Sequence, residues 1–109
     1  MADRRKTRIM YIESKADGLN GSARIGRMLY LKTGQSVYYG GQTFYKIQGF
    51  KSNFMEESSR DEYWISGPKR NGKDRLYVSN IPVLIDEDVR EEYWLQIRKR
   101  PDLIGQKHT

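Results

Sequence analysis

The sequence has no cysteine, and its single histidine, His108, stands one residue from the C-terminus. With no Cys there is no disulfide framework and no thiolate chemistry. One terminal His does not make a His/Cys zinc set, and it supplies no Ser–His or Cys–His nucleophile pair. Prolines number three. One of them, Pro82, interrupts the longest largely apolar run, residues 81–85, which falls far short of the ~20 residues that span a bilayer. The basic start, MADRRKTR, is followed by no apolar stretch, so no secretory signal is expected. A cytoplasmic location is the expectation, with no membrane partner.

What remains is a chain of 109 residues and 12.9 kDa, the size of one domain. Eight Tyr, three Phe and two Trp are enough aromatic matter for a core, so the middle of the chain is not disordered. The formal net charge is +6, and it is segregated. Basic blocks occupy residues 1–8, 69–75 and 98–107, and acidic blocks occupy 56–62 and 86–92. Such asymmetry marks either an anionic partner or intramolecular pairing with solvated faces.

Periodicity places the elements. Residues 7–13 (TRIMYIE) read as a strand with Ile9 and Tyr11 on one face and Met10 and Ile12 on the other, hence covered on both sides. Further strands are expected over 24–31, 37–39, 43–47, 50–57, 62–66 and, in short form, 76–78. Gly26 inside the second marks a bulge or a close backbone approach. Gly34 and the pair Gly40-Gly41 mark hairpin turns. The period then changes. Over 86–99, Val89, Tyr93 and Ile97 recur at four-residue spacing with Trp94 beside them, which predicts an amphipathic helix. Asp86 is the expected N-cap. Arg98, Lys99 and Arg100 suit the negative end of the helix dipole, and Pro101 stops the helix.

The expected fold is mainly β (α+β). It is a strongly bent antiparallel sheet or a small, partly open barrel of roughly five to seven short strands, with one C-terminal helix over about 86–99. Residues 1–6 are expected to be a flexible basic N-terminus, 7–100 a single domain, and 101–109 a flexible tail.

Few motifs carry chemistry. Residues 67–74 (GPKRNGKD) match the first seven positions of a phosphate-binding loop. The eighth position is Asp74 in place of Ser or Thr, and no helical pattern follows, so the string reads as a basic turn. Asp86 and Asp88 form a DxD at a helix start and lack the further oxygen ligands of a calcium loop. Glu13, Glu56, Asp61 and Glu62 could serve acid–base chemistry, but nothing in the pattern brings two of them together. No catalytic residue, metal ligand or cofactor is assigned, and an enzyme is not expected.

Aromatics interleaved with basic residues are the arrangement single-strand binders use. The candidate polyanion contacts are Lys69, Arg70, Lys73 and Arg75, and the candidate stacking residues are Tyr63, Trp64 and Tyr77. The competing role for these aromatics is core packing, since Leu and Val are few. Two function classes stay open. One is a nucleic-acid or polyanion binding module. The other is a protein-interaction module using a sheet edge or the acidic helix.

The blocks 23–27 (ARIGR), 62–69 (EYWISGPK) and 86–94 (DEDVREEYW) resemble a family of small uncharacterised bacterial proteins, over about residues 7–98. Some members carry the label 1-deoxy-D-xylulose-5-phosphate synthase. That enzyme is large and binds thiamine diphosphate through a GDG…N motif, and no GDG occurs in this chain. The resemblance implies a bacterial cytosolic protein and adds no site.

Overall fold

A computed structural model describes residues 6–16, 21–31, 34–75 and 81–109. Seven strands lie among them: β1 (Thr7–Ser14), β2 (Ala23–Tyr30), β3 (Ser36–Tyr39), β4 (Gln42–Lys46), β5 (Phe54–Glu56), β6 (Glu62–Ser66) and β7 (Leu84–Ile85). The first six form an antiparallel barrel in the order β1-β6-β5-β4-β3-β2, closed by pairing of β1 with β2. β7 is added outside this cycle, parallel to the start of β2.

Side chains alternate across a strand, so β1 serves two cores. Met10 and Ile12 point into the barrel, where they meet Met28, Val37, Phe44, Phe54 and Ile65. Ile9 and Tyr11 point outward with Ala23 and Ile25. There they are covered by Val83, Ile85, Val89, Tyr93 and Trp94. The double coverage expected of this strand is present. Burying each large side chain contributes roughly 1.5–3 kcal/mol over leaving it in water.

The C-terminal helix is shorter and less regular than the 86–99 expected. A 3-10 turn (Glu87–Val89) leads into one α turn (Arg90–Glu92) and a wide π turn (Tyr93–Ile97). Its apolar stripe lies on the outer sheet face, with Val89 and Tyr93 fully buried and Ile97 packed beside them. Asp86 does not cap it. The Asp86 side chain instead accepts hydrogen bonds from Arg24 Nε at 2.8 Å and from the Tyr39 hydroxyl at 2.5 Å. Pro101 opens a separate 3-10 turn, Pro101–Leu103. No helix among the described residues is long and apolar enough to cross a membrane.

Most strand boundaries fall within one residue of expectation, and larger differences occur at two places. The strand placed at 50–57 is only Phe54–Glu56, and Phe50 lies in the preceding loop. The tail is tied to the domain, contrary to the expected flexible segment 101–109. Trp94 Nε1 donates to the Gln106 carbonyl at 2.9 Å, the Ile85 amide donates to the Lys107 carbonyl at 2.7 Å, and the Thr109 amide donates to the Val83 carbonyl at 3.0 Å. The strand 37–39 begins one residue earlier, at Ser36. The expected strand 76–78 and most of the N-terminal segment lie outside the described residues.

Gly26 is a close approach. A Cβ there would lie 2.4 Å from Asp86 Oδ2 and 2.5 Å from Tyr39 Cε1. Both groups are held by the Asp86 hydrogen bonds, so neither can yield freely. Gly26→Ala is therefore expected to destabilise the fold by roughly 1–3 kcal/mol in urea titration. A change below about 0.5 kcal/mol, the range of neutral surface substitutions, would contradict this packing.

Candidate polyanion interface

β6 ends at Ser66, and the chain makes a turn over 67–75 whose C-terminal end is anchored inward. Arg75 is the anchor. Its guanidinium donates to the carbonyls of Gly21 at 3.0 Å, Ile81 at 3.1 Å and Pro82 at 3.5 Å. It also lies 3.7 Å from Glu13 Oε2. Glu13 accepts from the Tyr11 hydroxyl, and from Lys15 Nζ at 2.8 Å. The side chains of Arg75, Glu13 and Lys15 are only 3%, 2% and 5% exposed. Arg75 was expected among the surface cations, and this burial corrects that placement. Its charge is consumed by the interior. Burial, followed by the Glu13 hydrogen bond, pushes the Tyr11 hydroxyl well above its usual range, which keeps it a donor.

Asp74, beside Arg75, is also buried. Its Oδ1 accepts the Lys69 amide at 2.7 Å and so closes the turn, while its buried Oδ2 has no hydrogen-bond partner. Burial raises its carboxyl above the ordinary 3.8, and the charges of Lys69 and Arg98 oppose that rise only in part.

The apex carries Lys69, Arg70 and Lys73 into solvent. Gly72 there has φ +75°, and a Cβ on it would lie 2.1 Å from an Arg98 guanidinium nitrogen. The end of the helix thus sits directly on the turn. Arg98 lies 5.0 Å above the Trp94 ring and donates to the Tyr93 hydroxyl at 3.3 Å. Lys99 follows in the left-handed conformation, φ +55°, fully exposed. The Arg100 amide closes the helix end on the Trp94 carbonyl at 2.8 Å. Two basic blocks, 69–73 and 98–100, meet here. The sequence offers the second block both as one of three basic segments and as a complement to the helix dipole, and the fold brings it to the turn. Among the described residues, the side chains of Arg70, Lys73 and Lys99 enter no hydrogen bond or ion pair. Arg100 is paired with Asp102 at 2.8 Å.

Part of the acidic charge is answered elsewhere. Arg24 takes Asp86, and Arg27 Nη2 takes Glu92 at 2.7 Å. Arg24, Arg27 and Asp86, with Tyr39, Gly40, Gln42 and Asp88, line a shallow groove of about 510 Å³. Glu56 accepts the amides of Ser59 at 2.8 Å and Ser58 at 3.1 Å, and these bonds lower its carboxyl to about 2.

The expected stacking residues do not form one platform. Tyr63 packs against the barrel interior with its ring edge-on to Phe44, centroids 4.9 Å apart. Trp64, on the opposite face of the same strand, packs against the outer core. Tyr77 lies outside the described residues. The exposed rings are others: Tyr38 at 45% and Phe50 at 93%. Leaving Phe50 in water forgoes roughly 1.5–3 kcal/mol of burial. Its neighbour Gly49 was the only sequence signal that it sits in a loop. Comparison of the chain with family models, curated proteins and solved structures found no match.

Two outcomes test this geometry. Because the folded-state value of Asp74 is raised, its contribution to stability is full below the unfolded value and is lost as pH rises through the raised one. Asp74→Asn keeps an acceptor for the Lys69 amide and removes the titration. Its stability relative to the wild type is therefore expected to improve as pH rises from about 4. Urea melts across pH measure this, and a pH-independent difference contradicts it. Lys99 occupies a conformation that favours glycine. Lys99→Gly is expected to raise stability by ~0.5–1 kcal/mol, read as a higher urea midpoint.

Proposed function

We propose that this protein is a non-catalytic binding module for nucleic acid or a similar polyanion. Its contact surface is the turn 67–75 together with the helix end at Arg98 and Lys99. The observation that carries the proposal is the meeting of the two basic segments at Gly72. Lysines and arginines that project from a braced scaffold release condensed counterions when they neutralise phosphates, and that release drives sequence-independent binding. Asp86 and Glu92 of the helical segment are paired with Arg24 and Arg27 on β2, not with the cations of this patch. The bracing is internal: Asp74 accepts the Lys69 backbone amide and Arg75 donates to a buried carbonyl, so the side chains of Lys69, Arg70 and Lys73 are not used to hold the turn.

The reading predicts a salt dependence. Wild-type protein is expected to bind labelled oligonucleotide at ~50 mM salt, with affinity falling linearly in log–log salt plots. The triple variant Lys69→Ala/Arg70→Ala/Lys73→Ala is expected to lower the slope by roughly 2–3. Circular dichroism checks that the fold is kept. Absence of binding at ~50 mM salt, or a slope unchanged in the variant, overturns the proposal.

A further inference from the structure

We infer that the β4–β5 loop is a base-stacking site for single-stranded nucleic acid, with Phe50 as its platform. The inference rests on the polyanion reading above and specifies the kind of strand bound. Phe50 is the most exposed large apolar side chain among the described residues, at 93%. It does not sit on a loose loop. The Ile47 amide donates to the Asn53 carbonyl at 3.1 Å, and the Asn53 amide donates to the Tyr63 carbonyl at 3.0 Å. The Asn53 side chain clamps β6 from both sides, donating to the Ile65 carbonyl and accepting from the Ile65 amide, each at 2.8 Å. Ser52 is buried and donates to Glu62 at 2.5 Å. Gly49 packs so closely on the Ser52 carbonyl that a Cβ would lie 2.2 Å from it. A braced loop that holds a ring in water is preorganised for a partner with an apolar face.

Charge and position identify that partner. Lys46 and Lys51, which flank Phe50 in the sequence, are both exposed. An exposed ring on a segment that also carries exposed cations is the combination single-strand sites use, the ring for a base and the cations for phosphates. A duplex stacks its bases on one another and leaves no such face free. The loop also lies beside the proposed contact surface. β5 and β6 are antiparallel, so the loop entering β5 and the turn leaving β6 emerge from the same end of the ladder. Asn53 ties the loop to Ile65, next to the last residue of β6.

Full-length protein should be compared with Phe50→Leu and Phe50→Tyr. The probes are labelled oligothymidylate, a labelled duplex of equal length, and phosphatidylserine-containing vesicles. Phe50→Leu is expected to weaken single-strand binding at least about fivefold, with duplex binding unchanged, and Phe50→Tyr to restore it. Equal loss on both oligonucleotides, no loss, or a loss seen only on vesicles overturns the stacking site. The triple variant at Lys69, Arg70 and Lys73 separates the two proposals. If it loses binding while Phe50→Leu does not, stacking alone fails. If the wild type binds neither oligonucleotide, both fail.

Discussion

The outer face of β1 cannot be left in water. Ile9 and Tyr11 point away from the barrel, and closing six strands on themselves covers only Met10 and Ile12 on the other side. A second layer is therefore required, and the residues from Val83 onward supply it. β7 lies along β2, the helix lays Val89, Tyr93 and Trp94 on the sheet, and the tail hydrogen-bonds to β7 and to Trp94. The place where that layer ends is not arbitrary. With Tyr93 and Trp94 seated on the outer core, Arg98 follows within a turn and meets Gly72. The apolar demand of one strand thus brings together two basic segments that are far apart in the chain.

A buried charge refines the arrangement. Glu13 shares the outward face of Tyr11 and is as deeply covered. An unpaired carboxylate there would be strongly destabilising, and breaking a buried pair costs ~3–5 kcal/mol. Tyr11, Lys15 and Arg75 answer that charge, and Arg75 then draws in the carbonyls of Gly21, Ile81 and Pro82. Its partners come from three separate stretches of chain, so one set of hydrogen bonds fixes where the turn ends. The inward pull on Asp74 and Arg75 is what leaves Lys69, Arg70 and Lys73 on the outward side.

Much of this was legible in the chain. The two apolar faces of residues 7–13, the glycines at 34, 40 and 41, and the Val89/Tyr93/Ile97 stripe are local patterns, and each produced the element it implied. The misses share a physical cause. Arg75 reads locally as one more cation in a basic run, and partners outside that run, the carbonyls of Gly21, Ile81 and Pro82 and the carboxylate of Glu13, make it an interior residue. Asp86 reads as an N-cap until Arg24 and Tyr39 claim its carboxylate. Residues 101–109 have too little apolar content to suggest order, but their backbone groups are what they contribute. Phe50 looked like part of a strand because periodicity does not register the Asn53 clamp.

The partition of charge follows from these same long-range pairings. The helical segment carries acid at its start and base at its end, as the dipole favours, and by itself would present both signs to solvent. Arg24 and Arg27 answer two of those acids, Asp86 and Glu92, from the adjacent strand and leave Glu87, Asp88 and Glu91 facing solvent. The basic end has no such answer except at Arg100, which Asp102 neutralises. Lys99 is left exposed in a backbone conformation that glycine would occupy at lower cost. Part of the acidic charge is thus answered within the fold while Lys99 at the basic end is not, and that difference is what the proposed binding surface draws on.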